Sequence, residues 1–202
     1  MNRNVWLFAV LLIPVMFTAI LAQGQAGSTG GSGGPGGEVD LGLKGIGINV
    51  GYLMVANGFD GCIGFGGEVD FGSLVKPDGD KNKIMNVRLR ADIEYWKAVL
   101  PNPEGVTALD TKLSDFSISV GPKLRFQIPD AKINPFIFAE LGMHFTSLTA
   151  EHTSDSKNLF QFRVGAGAEW LVSEQFIPTL HVRLNVGDTN TFGVFGGVIY
   201  RF

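Results

Sequence analysis

The chain is short of cysteine, of charge and, past its first residues, of long apolar runs. Cys62 is the single cysteine among 202 residues, which excludes an internal disulfide, a cysteine-based zinc site and an iron–sulfur cluster. Charged residues make up 17%, against about 25% in an average soluble domain. The net charge of −3 leaves no basic face for nucleic acid, so no nucleic-acid partner is expected. No cofactor and no metal site are expected either, because no ligand spacing is present and the Gly-rich segments precede no helix that would cradle a phosphate. What is abundant is apolar residues, at 45%, and glycine, with 28 residues. That apolar content excludes a disordered chain.

The first 38 residues are not read as fold. Arg3 followed by the apolar run Val5–Leu21 and small residues reads as a secretory signal over 1–26, with cleavage after Ala22 or Ala26. Residues 27–38, including GSTGGSGGPGG, read as a flexible linker. The folded domain is expected over 39–202. It holds no run long enough for a membrane helix.

That domain alternates with period two. In Met85–Tyr95, Met85, Val87, Leu89, Ala91, Ile93 and Tyr95 share one face, while Asn86, Arg88, Arg90, Asp92 and Glu94 share the other. A helix would spread these charges around its surface; a strand sorts them. The same sorting occurs eight times in all, in strands of roughly 10 to 14 residues, near the length of a tilted membrane-crossing strand. The connections KPDGDKN (76–82), PDAK (129–132) and Ser173–Gln175 carry turn chemistry. Pro122 removes a ladder donor inside the fourth strand and predicts a bulge or local break.

Three features point the apolar face outward. The polar face is rich in glycine, among them Gly165, Gly167 and Gly193, which makes room in a narrow interior. It is also nearly charge-balanced. Arg88, Arg90, Lys123, Arg125, Arg163, Arg183 and Arg201 face Glu68, Asp70, Asp92, Glu94, Glu140 and Glu169, and arginine suits buried pairing with carboxylates. Aromatics on the apolar phase gather at strand ends. Tyr52, Tyr95, Phe116, Phe145 and Phe160 mark one rim; Phe71, Phe126, Trp170, Phe176, Tyr200 and Phe202 mark the other. The expected fold is therefore all-β: an eight-stranded antiparallel up-and-down transmembrane β-barrel. An interior of that size is filled by side chains.

INPFIFAELGMHF (133–145) and GVFGGVIYRF (193–202) carry a resemblance to the small eight-stranded outer-membrane barrels of Gram-negative-type bacteria, across about residues 41–202. The terminal Phe202, with Tyr200 and Val198 on one face, resembles the signal read by the barrel-assembly machinery. The resemblance implies a bacterial outer-membrane location, with outer-membrane lipid and lipopolysaccharide as partners. It implies insertion by that machinery and roles from membrane integrity to adhesion and small-solute passage; the long surface loops typical of adhesive members are missing, the longest candidate being Leu100–Lys112. The residues themselves favour a structural or interaction role without enzymatic activity.

Other readings stay open beside this one. Phe136, Phe138 and Phe195 on the inward phase suggest an inner apolar pocket, and hence a narrow conduit or a binding site for small or hydrophobic solutes. Glu151, His152 and Ser154, in a polar loop, set a base near a hydroxyl as a lipid-A-modifying enzyme requires, though loop polarity explains them better. His144 and His181 on the inward phase are expected to be hydrogen-bonded into the interior. A secreted soluble barrel with its apolar face inward is the remaining alternative.

Overall fold

The computed structural model describes residues 39–75, 85–101, 111–150, 153–187 and 189–202. The signal and linker segments, the whole 76–82 turn, and Glu151 and His152 lie outside the described residues. Eight strands follow one another: β1 (Asp40–Val55), β2 (Cys62–Val75), β3 (Met85–Val99), β4 (Lys112–Phe126), β5 (Ile133–Ala150), β6 (Thr153–Trp170), β7 (Phe176–Val186) and β8 (Thr191–Arg201). Each pairs antiparallel with its chain neighbours, and β8 returns to β1 to close the ring. The closing seam runs without a register shift from Gly45↔Arg201 to Val55↔Thr191. Closure matters because lipid offers no partner to an unpaired backbone edge.

Burial follows the period-two pattern with its usual sense reversed. On β3, Arg90, Asp92 and Glu94 are buried while Ile93 and Tyr95 are exposed. The apolar phase is bare around the barrel: Ile48 is 76% exposed and Leu141 67%. A water-soluble chain puts charge outside and aliphatic side chains inside. This arrangement is stable only where the outside is itself apolar, so the chain is an integral membrane barrel.

The aromatics form rungs. Cross-strand pairing sets Phe65 beside Tyr95, Tyr95 beside Phe116, and Phe116 beside Phe145, the last two rings 6.0 Å apart. At the opposite end Phe176 packs on Tyr200 at 5.2 Å, and Tyr200 on Phe202 at 5.5 Å. Phe71 departs from the expected rim. It is only 8% exposed, because the β2–β3 register steps between Asp70 and Ser73, where Gly72 adopts φ +93°. A bulge there breaks the alternation that the sequence pattern assumed. Pro122 causes no bulge. It stays in register opposite Leu89, and only the β4–β5 ladder is interrupted, between Val120↔Leu141 and Lys123↔Phe138.

Strand length is the largest departure. β5 and β6 each run 18 residues, beyond the expected 10 to 14. They stay paired up to Ala150↔Thr153, whereas β7 accompanies β6 only as far as Phe162↔Val186. The β3–β6 side therefore rises above the β7–β8 side. On this raised hairpin the outward phase turns polar. Ser147, Thr149, Ser154, Ser156 and Asn158 continue it, while the inward phase mixes Leu148 and Leu159 with Thr146, Asp155 and Lys157. Outward serine and asparagine suit water, so the change marks where the hairpin leaves the membrane.

Candidate functional site

The interior is built from the inward phase of all eight strands. It brings Glu68, Arg90, Asp92, Glu94, Lys123, Arg125, Glu140, Arg163, Glu169 and Arg183 into one connected set. At its centre Arg90 is fully buried and reaches Glu140 at 2.5 Å, Asp92 at 3.0 Å and Glu68 at 3.4 Å. Arg163 Nη1 donates to Asp92 at 2.7 Å and to Ser119 Oγ at 3.1 Å, and lies 3.6 Å from Glu140. Arg183 pairs with Glu94 and, at 3.4 Å, with Asp92. Toward the terminal end Lys123 bridges Glu68 at 2.9 Å and Glu169 at 2.7 Å. Glu169 also accepts Arg125 at 2.9 Å and Arg201 at 3.2 Å. Arg88 and Asp70 form a separate close pair beside this set, with contacts of 2.8 to 3.0 Å. Such charges withstand desolvation only when each has several opposite partners, and here the central ones do.

Phe136, Phe138 and Phe195 do meet inside the barrel, but they do not line an open pocket. The His181 ring fills the space between them. It stacks on Phe195 at 5.5 Å and meets Phe138 at 5.8 Å and Phe136 at 6.3 Å. Each phenyl ring also caps a cation: Arg183 over Phe195 at 3.6 Å, Lys123 over Phe136 at 4.2 Å and Arg90 over Phe138 at 4.3 Å. Cation–π contact gains strength when water is excluded, as it is here. Glycine makes the room. A Cβ at Gly165 would strike Phe138, and one at Gly193 would strike Phe195. His181 thus departs from the expected hydrogen-bonded histidine: neither ring nitrogen has a hydrogen-bond partner among the described residues.

Two features were missed in the sequence. The first is an apolar plug at the loop end, made by Leu53, Val55, Cys62, Trp96, Ala98, Leu113 and Phe195. Its signal was present, because the inward phase of several strands turns apolar at that end. The second is a polar cluster beside it. Asp115 Oδ1 lies 2.8 Å from His144 Nδ1, and Asp115 Oδ2 accepts Thr146 Oγ1 at 3.0 Å. The hydroxyl and the imidazole share one carboxylate, so this is not a nucleophile resting on its base. Ser154, expected in a loop, lies exposed on β6 opposite Thr149. Val198, Tyr200 and Phe202 all sit on the outer, lipid-facing surface, with Phe202 68% exposed.

Above the plug opens a basin of about 390 Å³. Phe59, Leu113, Leu148 and Leu159 supply its apolar surface, and Asp155, Lys157, Thr146 and Thr189 its polar surface.

The fold and this interior define a class: an eight-stranded transmembrane β-barrel of the outer-membrane type, filled by ion pairs and aromatic rings. Solved structures agree on the fold. The chain superposes on Ail, the attachment invasion locus protein of Yersinia pestis, with TM-score 0.53 and 17% identity, covering 80% of this chain and 99% of that one. Neisserial surface protein A gives TM-score 0.53 and 14% identity, covering 78% and 96%. The outer membrane enzyme PagL gives 0.50 and 12%, covering 75% and 97%. No protein-family model and no curated protein matches the sequence.

Proposed function

We propose that the protein is a non-enzymatic barrel of the bacterial outer membrane with a structural or interaction role. Signal cleavage would precede its insertion by the barrel-assembly machinery, and its first partners would be outer-membrane lipid and lipopolysaccharide. One observation carries this reading: the cross-section is occupied by fixed side chains. Arg90, Arg163, Arg183, Phe195 and Trp96 are each 2% exposed or less. A barrel so filled has an outer surface and a rim with which to act. The catalytic reading rests on Glu151, His152 and Ser154, of which Glu151 and His152 lie outside the described residues.

Gel migration of detergent-extracted protein, boiled against unboiled, tests the reading. A heat-dependent shift in the outer-membrane fraction is the expected result. Buffer-soluble protein without a shift would overturn it. Lipid A of unchanged mass on expression is expected as well; acyl loss that disappears in Ser154→Ala would replace the reading by an enzymatic one.

The basin favours a second reading, a rim site for a small apolar solute in place of a conduit. Its size falls in the range of small-molecule pockets, and its surface joins leucines to a lysine and an aspartate. Reconstituted vesicles should then bind an apolar dye at the rim without passing it, and Leu148→Asp should abolish that binding.

A further inference from the structure

Two buried groups below the rim basin lack partners. Trp96 is 2% exposed, and its indole Nε1–H donates to nothing among the described residues. Gln161 is 6% exposed, and its Oε1 accepts from nothing there. A dry, unpaired polar group is costly, so each marks a place where a partner is due.

The barrel brings both groups to one recess. Trp96 of β3 stands across from Asp115 of β4, and Asp115 across from Thr146 of β5. Gln161 of β6 lines the same recess as Trp96 and Asp115. Its volume is about 10 Å³. That is room for one oxygen-sized group and for no larger head. Thr146, Leu159 and Thr189 line both the recess and the basin. Along β4 the basin's Leu113 gives way, one inward step deeper, to Asp115; along β6 Leu159 gives way to Gln161. The recess is therefore the floor of the basin.

The unpaired groups name the chemistry that fits. A hydroxyl satisfies one donor and one acceptor together, accepting from Trp96 and donating to Gln161. An ether only accepts and leaves Gln161 dry. An ammonium only donates and leaves Trp96 dry. A carboxylate is too large, and Asp115 repels it. The body attached to the hydroxyl must be apolar, because Phe59, Leu113, Leu148 and Leu159 form the basin above.

We propose that the basin is a site for small apolar alcohols, whose hydroxyl seats in the floor recess between Trp96 Nε1 and Gln161 Oε1. The proposal rests on the rim-solute reading above and names its ligand class.

Octanol and its isomer heptyl methyl ether test the idea, because they match in size and apolar body and differ in one donor. The full chain in phosphatidylcholine vesicles is loaded with the apolar rim dye. Displacement is read against the mole fraction of ligand in the lipid, so that membrane partition cancels. Octanol should displace the dye from the wild type at least about tenfold better than the ether, since a site built around a hydroxyl rejects an analogue that leaves its polar groups unpaired. Gln161→Met keeps the length and removes the acceptor, so octanol should fall to the level of the ether. Trp96→Phe should weaken both ligands. Gel migration shows that each variant is a folded barrel, and the wild-type comparison stands without them. Equal displacement by the two ligands, or a preference that survives Gln161→Met, would overturn the proposal. Octylamine displacing the dye better than octanol would overturn it too and make the floor an amine site beside Asp115. Dye that binds Leu148→Asp as well as the wild type sinks the rim-solute reading and the alcohol site with it; dye lost from Leu148→Asp but displaced from the wild type without preference sinks the alcohol site alone.

Discussion

Arg90 offers the sharpest test of the interior. Replacing it with methionine keeps the length and removes the charge. Three carboxylates then lose a partner, but unequally. Glu68 keeps Lys123 at 2.9 Å, and Asp92 keeps Arg163 at 2.7 Å. Glu140 keeps only Ser119 at 2.8 Å and a longer contact to Arg163 at 3.6 Å. Phe138 loses the guanidinium over its face. Removing one partner from a buried ion cluster costs about 3–5 kcal/mol. That corresponds to a folding equilibrium roughly a hundred to several thousand times less favourable. Arg201→Met is the control. Arg201 is partly exposed, and Glu169 retains Lys123 and Arg125 after its loss, so about 1 kcal/mol or less is expected. Urea titration in lipid vesicles, read by the cold gel-mobility shift, measures both. Adding Glu140→Gln to Arg90→Met should recover part of the loss, because it removes the worst-stranded charge. Equal stability of the Arg90 and Arg201 variants would refute the reasoning and mean that the interior is solvated.

Further perturbations test the other surfaces. Leu141→Arg, at a site 67% exposed, should destabilise by about 2–4 kcal/mol in vesicles if that face meets lipid; an unchanged urea midpoint would place it in water. Gly193→Ala should cost about 1–3 kcal/mol by overpacking against Phe195, and Phe195→Leu in the same chain should relieve part of it, measured by the same titration. Phe202→Ser should lower the yield of assembled barrel in cells while leaving the urea midpoint of refolded protein nearly unchanged; a matching fall in both would make Phe202 a packing residue and not an assembly signal.

How much was legible in the sequence follows from how local each feature is. Period-two alternation is a property of one strand at a time, so the strands, their number and the two faces could be read directly. Arginine and glycine on one phase, with aromatics at the ends of the other, even told which face points inward. The alternation failed where one residue interrupts it. Gly72 steps the chain out of register, and Phe71 moves from the expected rim to a buried position. At Pro122 the ladder to β5 is locally broken, as a missing donor requires, while the pairing to β3 stays in register.

What the sequence could not hold is anything that depends on which strands meet and how high. It placed Phe136, Phe138 and Phe195 on the inward phase, but only the barrel's closure packs His181 against all three. It placed thirteen charges inside, but only register decides that Arg90 serves three carboxylates while Arg201 serves one. The raised β5–β6 hairpin looked like a loop because its outward serines and asparagine run against the pattern of the barrel below. Alternation is set by the backbone of each strand and is written residue by residue. The height of one strand against the next is set by partners distant in the chain, and only the tertiary structure decides it.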